Sequence, residues 1–114
     1  MERVDEYRHL LMRLMTDYAE FAHQHAKSGG VETYLIFDAA RDHYLMLRLG
    51  WSEDSRVRSL VLFVRLHEEK FWIEEDWTEE GIATELLKAG VPKENIVLAF
   101  HPPEMRALSE FATA

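Results

Sequence analysis

The clearest indication of the fold is in residues 57–74, VRSLVLFVRLHEEKFWIE. Its first ten residues are rich in valine, leucine and phenylalanine, which is typical of a β-strand. Residues 67–69 are polar, and a second strand-like segment follows at residues 70–74, with apolar side chains at residues 71–73. Two such runs joined by so short a polar turn predict a β-hairpin. The alternation places Phe71 and Ile73 on one face and Trp72 on the other, and leaves open which face meets a helix.

Two further strands precede this hairpin. Residues 31–37 and 44–51 are apolar segments bounded by polar turns at 38–42 and 52–55. Four strands joined by short polar turns predict an antiparallel meander. A short apolar segment at residues 95–100 follows later in the chain, as a fifth strand or an extended segment.

Helical patterns flank the predicted sheet. Residues 3–26 carry apolar side chains at spacings of three and four, which predicts an amphipathic helix that ends in the glycine stop at residues 27–30. A second helix is expected to begin at Thr78 as its N-cap and to end at residues 90–92. Residues 104–112 are expected to add a last helical turn or two. The stripe of the first helix comprises Val4, Tyr7, Leu11, Leu14, Tyr18 and Phe21.

Together these elements predict an α+β fold. A long N-terminal helix packs on a mainly antiparallel four- to five-stranded meander sheet, followed by a second helix and a short C-terminal helical segment. The chain has 114 residues, the size of one ordinary domain, and we see no linker or repeat. We therefore expect a single domain over residues 1–114.

Charge and composition narrow the function. The net charge is −8, and residues 68–80 hold seven acids against one base. Because nucleic-acid affinity depends on clustered lysine and arginine, a basic protein is a more natural partner than DNA. There is no cysteine, no run of roughly 20 apolar residues and no apolar N-terminal signal, so we expect a cytoplasmic protein without membrane contact.

No catalytic or metal-binding set stands out. His23 and His25 lie two positions apart on a helix, which directs them away from each other. Asp54, Glu68 and Lys70 resemble a nuclease set, but we place Glu68 in a turn rather than in a cleft. The serines lie in no Gly-x-Ser-x-Gly elbow, and phosphate-binding glycine loops are missing. The prediction is therefore a non-enzymatic protein with no metal and no cofactor.

Two groups of residues remain as candidate binding surfaces. One is a group of five arginines along the meander: Arg41, Arg48, Arg56, Arg58 and Arg65. Arg56 and Arg58 share one face of a strand, where a phosphate or an acidic partner could bind. Since residues 31–66 also hold five acids, we expect this arginine group to form ion pairs across the strands instead. The C-terminal third combines tryptophan, proline and arginine, residue types common at interface hot spots. The predicted partner-binding residues are Trp72, Trp77, Glu79, His101, Pro102, Pro103 and Arg106.

Several blocks, taken in order, resemble the XisI family, the fdxN element excision controlling factors of cyanobacteria. The resemblance spans about residues 4–114. One departure lies in the turn before Lys70, where family members often carry glycine and this chain has Glu69. The matching blocks are residues 35–38 (LIFD), 42–44 (DHY), 50–51 (GW), 70–83 (KFWIEEDWTEEGIA) and 90–103 (GVPKENIVLAFHPP), with Arg106 and residues 111–112.

The resemblance implies an accessory role in excising a DNA element during heterocyst development. It also implies a protein partner of the XisH kind, which has an endonuclease-like fold, so that DNA is contacted only indirectly. The family offers no catalytic residues to carry over. The exposed sheet edges further suggest a homo-oligomer, with a dimer as the expectation. Two alternatives stay open: a metal-dependent nuclease and a recombination factor that binds DNA directly.

Overall fold

The computed structural model describes residues 2–25 and 30–114, and it confirms the α+β class. The glycine stop predicted after the first helix lies, except for Gly30, outside the described residues. No helix in the described part of the chain is both long enough and apolar enough to cross a bilayer. The elements are α1 (Glu2–His25), β1 (Gly30–Asp38), β2 (His43–Ser52), β3 (Ser55–His67), β4 (Lys70–Asp76), α2 (Ile82–Lys88), a 3-10 turn (Lys93–Asn95), β5 (Ile96–Leu98) and α3 (Pro103–Arg106).

The five strands form one sheet in chain order, β1-β2-β3-β4-β5. The first four are antiparallel, as the meander predicts, and β5 runs parallel to β4 with Phe71 opposite Ile96. A parallel neighbour requires a crossover connection, which α2 supplies. β4 extends to Asp76, two residues beyond the prediction, because its pairing with β3 continues to Leu62.

α1 and α2 cover one face of the sheet, and this face holds the core. Phe71 and Ile73 point toward the helices, which answers the question that the sequence left open. The Phe71 ring lies 4.6 Å from the Tyr7 ring of α1. Burial of these apolar side chains is the main source of folding free energy. The side chains with no more than 5% exposure in this core are Leu11, Met15, Tyr44, Met46, Leu62, Val64, Phe71, Ile73, Ile82, Leu86, Val91 and Ile96.

The opposite face of β1–β3 carries a second set of apolar side chains, which we call the open face. Strand alternation and register place these residues on the side away from α1 and α2. Tyr34 and Ile36 keep 45% and 47% of their surface exposed, and the other members are half-buried. The open face comprises Tyr34, Ile36, Leu45, Leu47, Leu49, Leu60 and Phe63.

A charged network fastens α1 to the turn between β1 and β2. The Arg8 guanidinium donates from Nε to Asp42 Oδ1 at 2.6 Å and from Nη2 to Oδ2 at 3.0 Å. The buried Tyr44 hydroxyl donates to the same carboxylate at 2.8 Å. The hydrogen bond from Arg8 holds the pKa of Asp42 below its usual range, whereas burial raises the pKa of Tyr44. This network fixes the register of the helix over the sheet.

The turn between β3 and β4 has an unusual backbone. His67 pairs with Lys70, so Glu68 and Glu69 form a two-residue loop with φ of +53° and +61°. Positive φ at both positions is the type I′ hairpin geometry, which favours asparagine and glycine. Glu69 therefore adopts the conformation for which glycine is suited, and the departure noted in the sequence carries a conformational cost.

The C-terminal end of α2 follows its prediction, but its start does not. Gly90 has φ of +96°, and the N–H groups of Gly90 and Val91 donate to the carbonyls of Leu87 and Leu86. This is a Schellman motif, as the glycine predicts. The helix begins at Ile82, however, so Thr78 is not its N-cap.

Candidate functional site

An open groove lies between α1 and the segment that leads into α2. Its volume is about 560 Å³. The floor is apolar, with Leu14 and Tyr18 from α1, Leu62 from β3 and Ile82 from α2. Phe21 stands at its mouth with 58% of its surface exposed. An apolar floor of this size can hold the side chains of a binding partner.

Carboxylates surround this floor, and we call the whole the acidic groove. Asp17 comes from α1, Glu79 and Glu80 from the segment before α2, and Glu85 from α2. Lys88 lies 3.7 Å from Glu80 and 3.9 Å from Glu85 and offsets part of the charge. No lysine or arginine is among the described residues that line the groove. The arrangement suits a basic side chain whose aliphatic stem lies on the floor and whose charge reaches the rim.

Asp76, at the end of β4, orders the segment that forms one wall of the acidic groove. Its Oδ1 accepts the Thr78 N–H at 2.9 Å and the Thr78 hydroxyl at 2.5 Å, and its Oδ2 accepts the Ile82 N–H at 2.7 Å. One carboxylate thus orders the loop and satisfies a free N–H at the start of α2. Gly81 has φ of +88°, which lets the chain turn into the helix.

The predicted partner-binding residues fall into two places. Trp72, His101 and Arg106 form one cluster: the Arg106 guanidinium carbon lies 5.9 Å from the centre of the Trp72 ring, and its Nε donates to the His101 carbonyl at 2.9 Å. Trp72 donates its indole N–H to the His67 carbonyl at 3.2 Å. Pro102 and Pro103 extend this cluster as exposed residues at the start of α3.

Arg106 organises the C-terminal segment, residues 99–114. Besides the His101 carbonyl it reaches the carbonyls of Thr113, at 3.2 Å, and Ala99, at 3.5 Å. Three carbonyls around one half-buried guanidinium hold the segment together. Its attachment to the sheet comes from main-chain hydrogen bonds, in which the Phe100 N–H donates to Ile73 of β4 and the Ala112 N–H donates to Ile96 of β5. These contacts give Arg106 and the half-buried Trp72 a structural role within the chain.

Trp77 and Glu79 lie elsewhere, beside the acidic groove. Trp77 is 76% exposed; its main-chain N–H donates to the Val61 carbonyl at 2.8 Å, and its indole N–H donates to Glu75 at 3.1 Å. Tyr18 lines both the groove and the shallow depression beside Trp77. Glu79 is part of the groove rim.

The nuclease set of the first alternative is not assembled. Asp54 lies in the turn before β3, whereas Glu68 lies in the turn after it and Lys70 is the first residue of β4. β3 has 13 residues, so these turns are about 40 Å apart at the usual rise per residue. Glu68 instead lies 3.1 Å from the His67 ring. Within residues 2–25 and 30–114, no three histidine, aspartate or glutamate side chains are grouped to hold a metal ion.

The predicted ion pairs of the arginine group are correct only in part. Arg65 pairs with Glu74 across β3 and β4 at 2.9 Å. Arg56 instead lies over the Trp51 ring, 5.7 Å from its centre, and donates to the Gly50 carbonyl. Arg58 has no ion-pair partner among the described residues. The prediction was wrong for this pair because the positions opposite them on β2 are Trp51 and Leu49.

Sequence reasoning missed several exposed apolar side chains. Phe21 continues the stripe of α1, but it lies beyond the surface that the sheet covers. Helical spacing identifies the apolar stripe of a helix, but it does not show how much of that stripe the sheet covers. In the C-terminal segment, Phe100, Met105 and Leu108 are 46%, 47% and 83% exposed, and no periodicity marks them.

The helix-covered mixed sheet, with its acidic groove and C-terminal segment, defines a small α+β protein. The family model for the XisI protein matches residues 1–113. The chain belongs to the XisI family, which confirms the resemblance read from the sequence blocks. No curated protein matches it.

Two solved structures from Anabaena variabilis are similar to this chain over nearly its whole length. The fdxN element excision controlling factor XisI is 38% identical, with a TM-score of 0.81, and the match covers 98% of this chain and 99% of that one. A XisI-like protein is 31% identical, with a TM-score of 0.86, and the match covers 96% and 97% of the two chains.

Proposed function

We propose that this chain is a non-enzymatic accessory protein that takes part in controlling the excision of a DNA element by binding another protein. The family supports the role, since a relative with 38% identity is an fdxN element excision controlling factor. In this proposal the chain acts in the cytosol on the excision machinery and not on the DNA bonds themselves.

The observation that carries this proposal is the acidic groove. Its rim brings Asp17, Glu79, Glu80 and Glu85 around an apolar floor, although these residues come from two separate parts of the chain. Negative charge around an apolar surface steers and orients a basic partner, and the floor adds burial once the partner docks. Phe21 and Trp77 present exposed aromatic rings in or beside the groove, as interface hot spots do.

The partner in this proposal is a nuclease-fold protein of the XisH kind. A protein that handles DNA needs a positively charged surface to contact phosphates. A basic segment of such a protein matches the groove in charge, so that binding would cover or orient that segment. DNA is then contacted by the partner, and this chain contacts it only indirectly.

The test is purification of the tagged chain from its own host, with a groove variant and a charge-matched control. Glu79→Lys with Glu80→Lys reverses the rim, whereas Glu94→Lys with Glu104→Lys makes the same charge change at exposed positions away from it. We expect the wild type and the control to retain a stoichiometric nuclease-fold protein and the groove variant to lose it. In a binding titration of the purified pair, the loss should be about tenfold or more in Kd.

Two results would contradict the proposal. One is equal recovery of the partner by the groove variant and the wild type; the other is recovery of the chain without any nuclease-fold protein. Titration of the isolated chain against duplex DNA tests the alternative of direct binding. A steep fall in affinity with added salt would favour that alternative, because cations bound to phosphates are released on protein binding.

A further inference from the structure

The open face requires an explanation that the acidic groove does not give. Antiparallel sheets covered on one face usually present polar side chains on the other. Here the open face is apolar at its centre, with Tyr34, Leu47 and Leu60 aligned across three strands. The next row contains Ile36, Leu45 and Phe63. α1 and α2 lie on the other side of the sheet, so neither of these helices covers the two rows.

The open face has the size of an interaction surface. With the usual spacing between strands and rise per residue, the face of β1–β3 measures about 30 Å by about 14 Å, and the two apolar rows form its centre. Contiguous apolar patches of several hundred Å² on a protein surface mark binding sites. Because Tyr34 and Ile36 are nearly half exposed, covering this face removes further apolar surface from water.

Charges at the margins of the open face follow an ordered pattern. In the row beyond Tyr34, Glu32 on β1 lies opposite Leu49 on β2, and Leu49 in turn lies opposite Arg58 on β3. In the row beyond Ile36, Asp38 on β1 lies opposite His43 on β2, and His43 in turn lies opposite Arg65 on β3. Each row has an acid on β1 and an arginine on β3, with β2 between them.

This pattern is self-complementary. A two-fold axis that runs along β2, just above the open face, places β1 of one copy over β3 of another in the same row. Glu32 then meets Arg58 of the second copy, Tyr34 meets Leu60, and Leu47 lies opposite itself. An isologous interface requires this kind of self-complementarity. We propose that the open face binds the open face of a second copy of this chain.

The resulting dimer is a two-sheet sandwich with aligned strands. The strands of two such sheets cross at about 30°. Facing side chains of the two copies therefore align best at the centre of the interface and less well toward its ends. The Glu32–Arg58 row lies about 7 Å from the central row and remains within reach. Glu32 already holds the Tyr34 hydroxyl at 3.2 Å, and Arg58 has no ion-pair partner among the described residues. This dimer is independent of the acidic groove, which lies on the helix side of the sheet.

The first test is the oligomeric state of the full chain by analytical ultracentrifugation. We expect a dimer for the wild type and a monomer for Ile36→Lys, an exposed position whose change leaves the core intact. Leu108→Lys places the same charge at an exposed apolar residue outside the open face and should remain dimeric. A monomeric wild type at about 100 µM, a concentration well above a micromolar Kd, overturns the proposal. So does a dimer that Ile36→Lys does not weaken.

The second test uses charge exchange. Arg58→Glu changes two contacts at once, because the two-fold axis repeats each pair, so dimer affinity should fall by a factor on the order of 10 to 100. Exchanging both charges, in Glu32→Arg with Arg58→Glu, should restore most of the affinity. Equal weakness in the exchanged variant overturns this register. Circular dichroism checks that each variant is folded.

The third test uses the lack of cysteine in the chain. Packed sheets lie about 10 Å apart, so Leu47→Cys should be joined to its counterpart by a short bismaleimide linker of similar length. Leu108→Cys serves as the control for random collision. A dimer that forms through sheet edges, or an open face that binds the nuclease-fold partner instead, predicts no excess of crosslinked Leu47→Cys dimer over this control. That result overturns the proposal.

Discussion

The two faces of the sheet contain similar amino acids but have different surroundings. On β2, Tyr44 and Met46 are fully buried beneath α1, whereas Leu45 and Leu47 on the same strand belong to the open face. On β1, Leu35 packs against the core while its neighbour Ile36 is 47% exposed. Composition does not distinguish the faces. Their difference comes from which elements the rest of the chain places over each one.

The difference indicates that the core of the folded chain is formed on the helix-covered face alone. Core burial on the helix side supplies the folding free energy, and the apolar side chains of the open face remain available for association. Substitutions should therefore separate the two faces, with large effects on stability on one side and small ones on the other.

The sharpest contrast is between Phe71→Ala and Ile36→Ala. Phe71 is fully buried, so its truncation leaves a cavity and should lower the free energy of unfolding by about 3 to 5 kcal/mol. Ile36→Ala should lower it by less than about 1 kcal/mol in the monomer, because half of that side chain is already exposed. Urea denaturation at low protein concentration measures both. Equal losses would remove the distinction between the faces.

The network that holds α1 on the core face gives the next effect. Asp42→Asn keeps a residue type that tolerates the φ of +56° but removes the charge opposite Arg8, and should cost about 2 kcal/mol. Asp38→Asn, at the end of β1 just before this turn, removes an exposed pair with Arg41 and is the matched control. Its effect should be within about 0.5 kcal/mol by the same urea measurement. A larger loss for Asp38→Asn would contradict the network.

The same network predicts a dependence on pH. The pKa of Asp42 is lower in the folded chain than its ordinary value, so the folded state favours the ionised carboxylate. Its contribution to stability is present above the ordinary carboxyl pKa of about 4 and is lost as the pH falls through the lower, folded-state pKa. Asp42→Asn should lose less stability than the wild type between pH 5 and 2. A parallel loss in both proteins would contradict this assignment.

Asp76 tests the second helix that covers the core face. Asp76→Ala removes the acceptor of the Ile82 N–H and should lower the free energy of unfolding by about 1 to 2 kcal/mol. Thr78→Ala removes only the hydroxyl that donates to the same carboxylate, so its cost should be smaller. A larger effect at Thr78 would support the N-cap that the sequence favours. Urea denaturation again distinguishes them.

The smallest expected effect is a gain. Glu69→Gly relieves a left-handed backbone conformation and should raise the free energy of unfolding by about 1 kcal/mol. Glu69→Ala removes the same charge without relieving the backbone and is the control. Because the turn belongs to neither face, Glu69→Gly should leave the contrast between Phe71→Ala and Ile36→Ala unchanged. A similar gain in Glu69→Gly and Glu69→Ala would mean that the lost charge, and not the backbone conformation, causes the gain in stability.

Much of this fold follows from local pattern. Apolar alternation and short polar turns predict four strands whose observed ends lie within about three residues of expectation, and helical spacing predicts α1. Gly90 marks the end of α2 because a Schellman motif is local to that turn. The predicted start of α2 was wrong. The N–H of its first residue, Ile82, donates to Asp76, which lies six residues earlier and on another element.

The candidate site was predicted less well, for a related reason. The acidic segment was evident in the sequence, but its meeting with Asp17 and Phe21 of α1 depends on packing between distant parts of the chain. Trp72 and Arg106 carry residue types that are common at interfaces, yet they contact each other. Residue type alone does not tell whether such a side chain binds a partner or its own chain.

The way Arg106 holds the C-terminal segment has a consequence for dynamics. None of residues 99–114 is fully buried, and three of their carbonyls converge on one guanidinium. A segment with few buried apolar contacts opens at lower free energy than a core strand. Its amide protons should therefore exchange with solvent through a local opening, whereas those of β2 and β3 should exchange only through global unfolding. We thus expect the C-terminal segment to open as a separate cooperative unit on a more stable sheet.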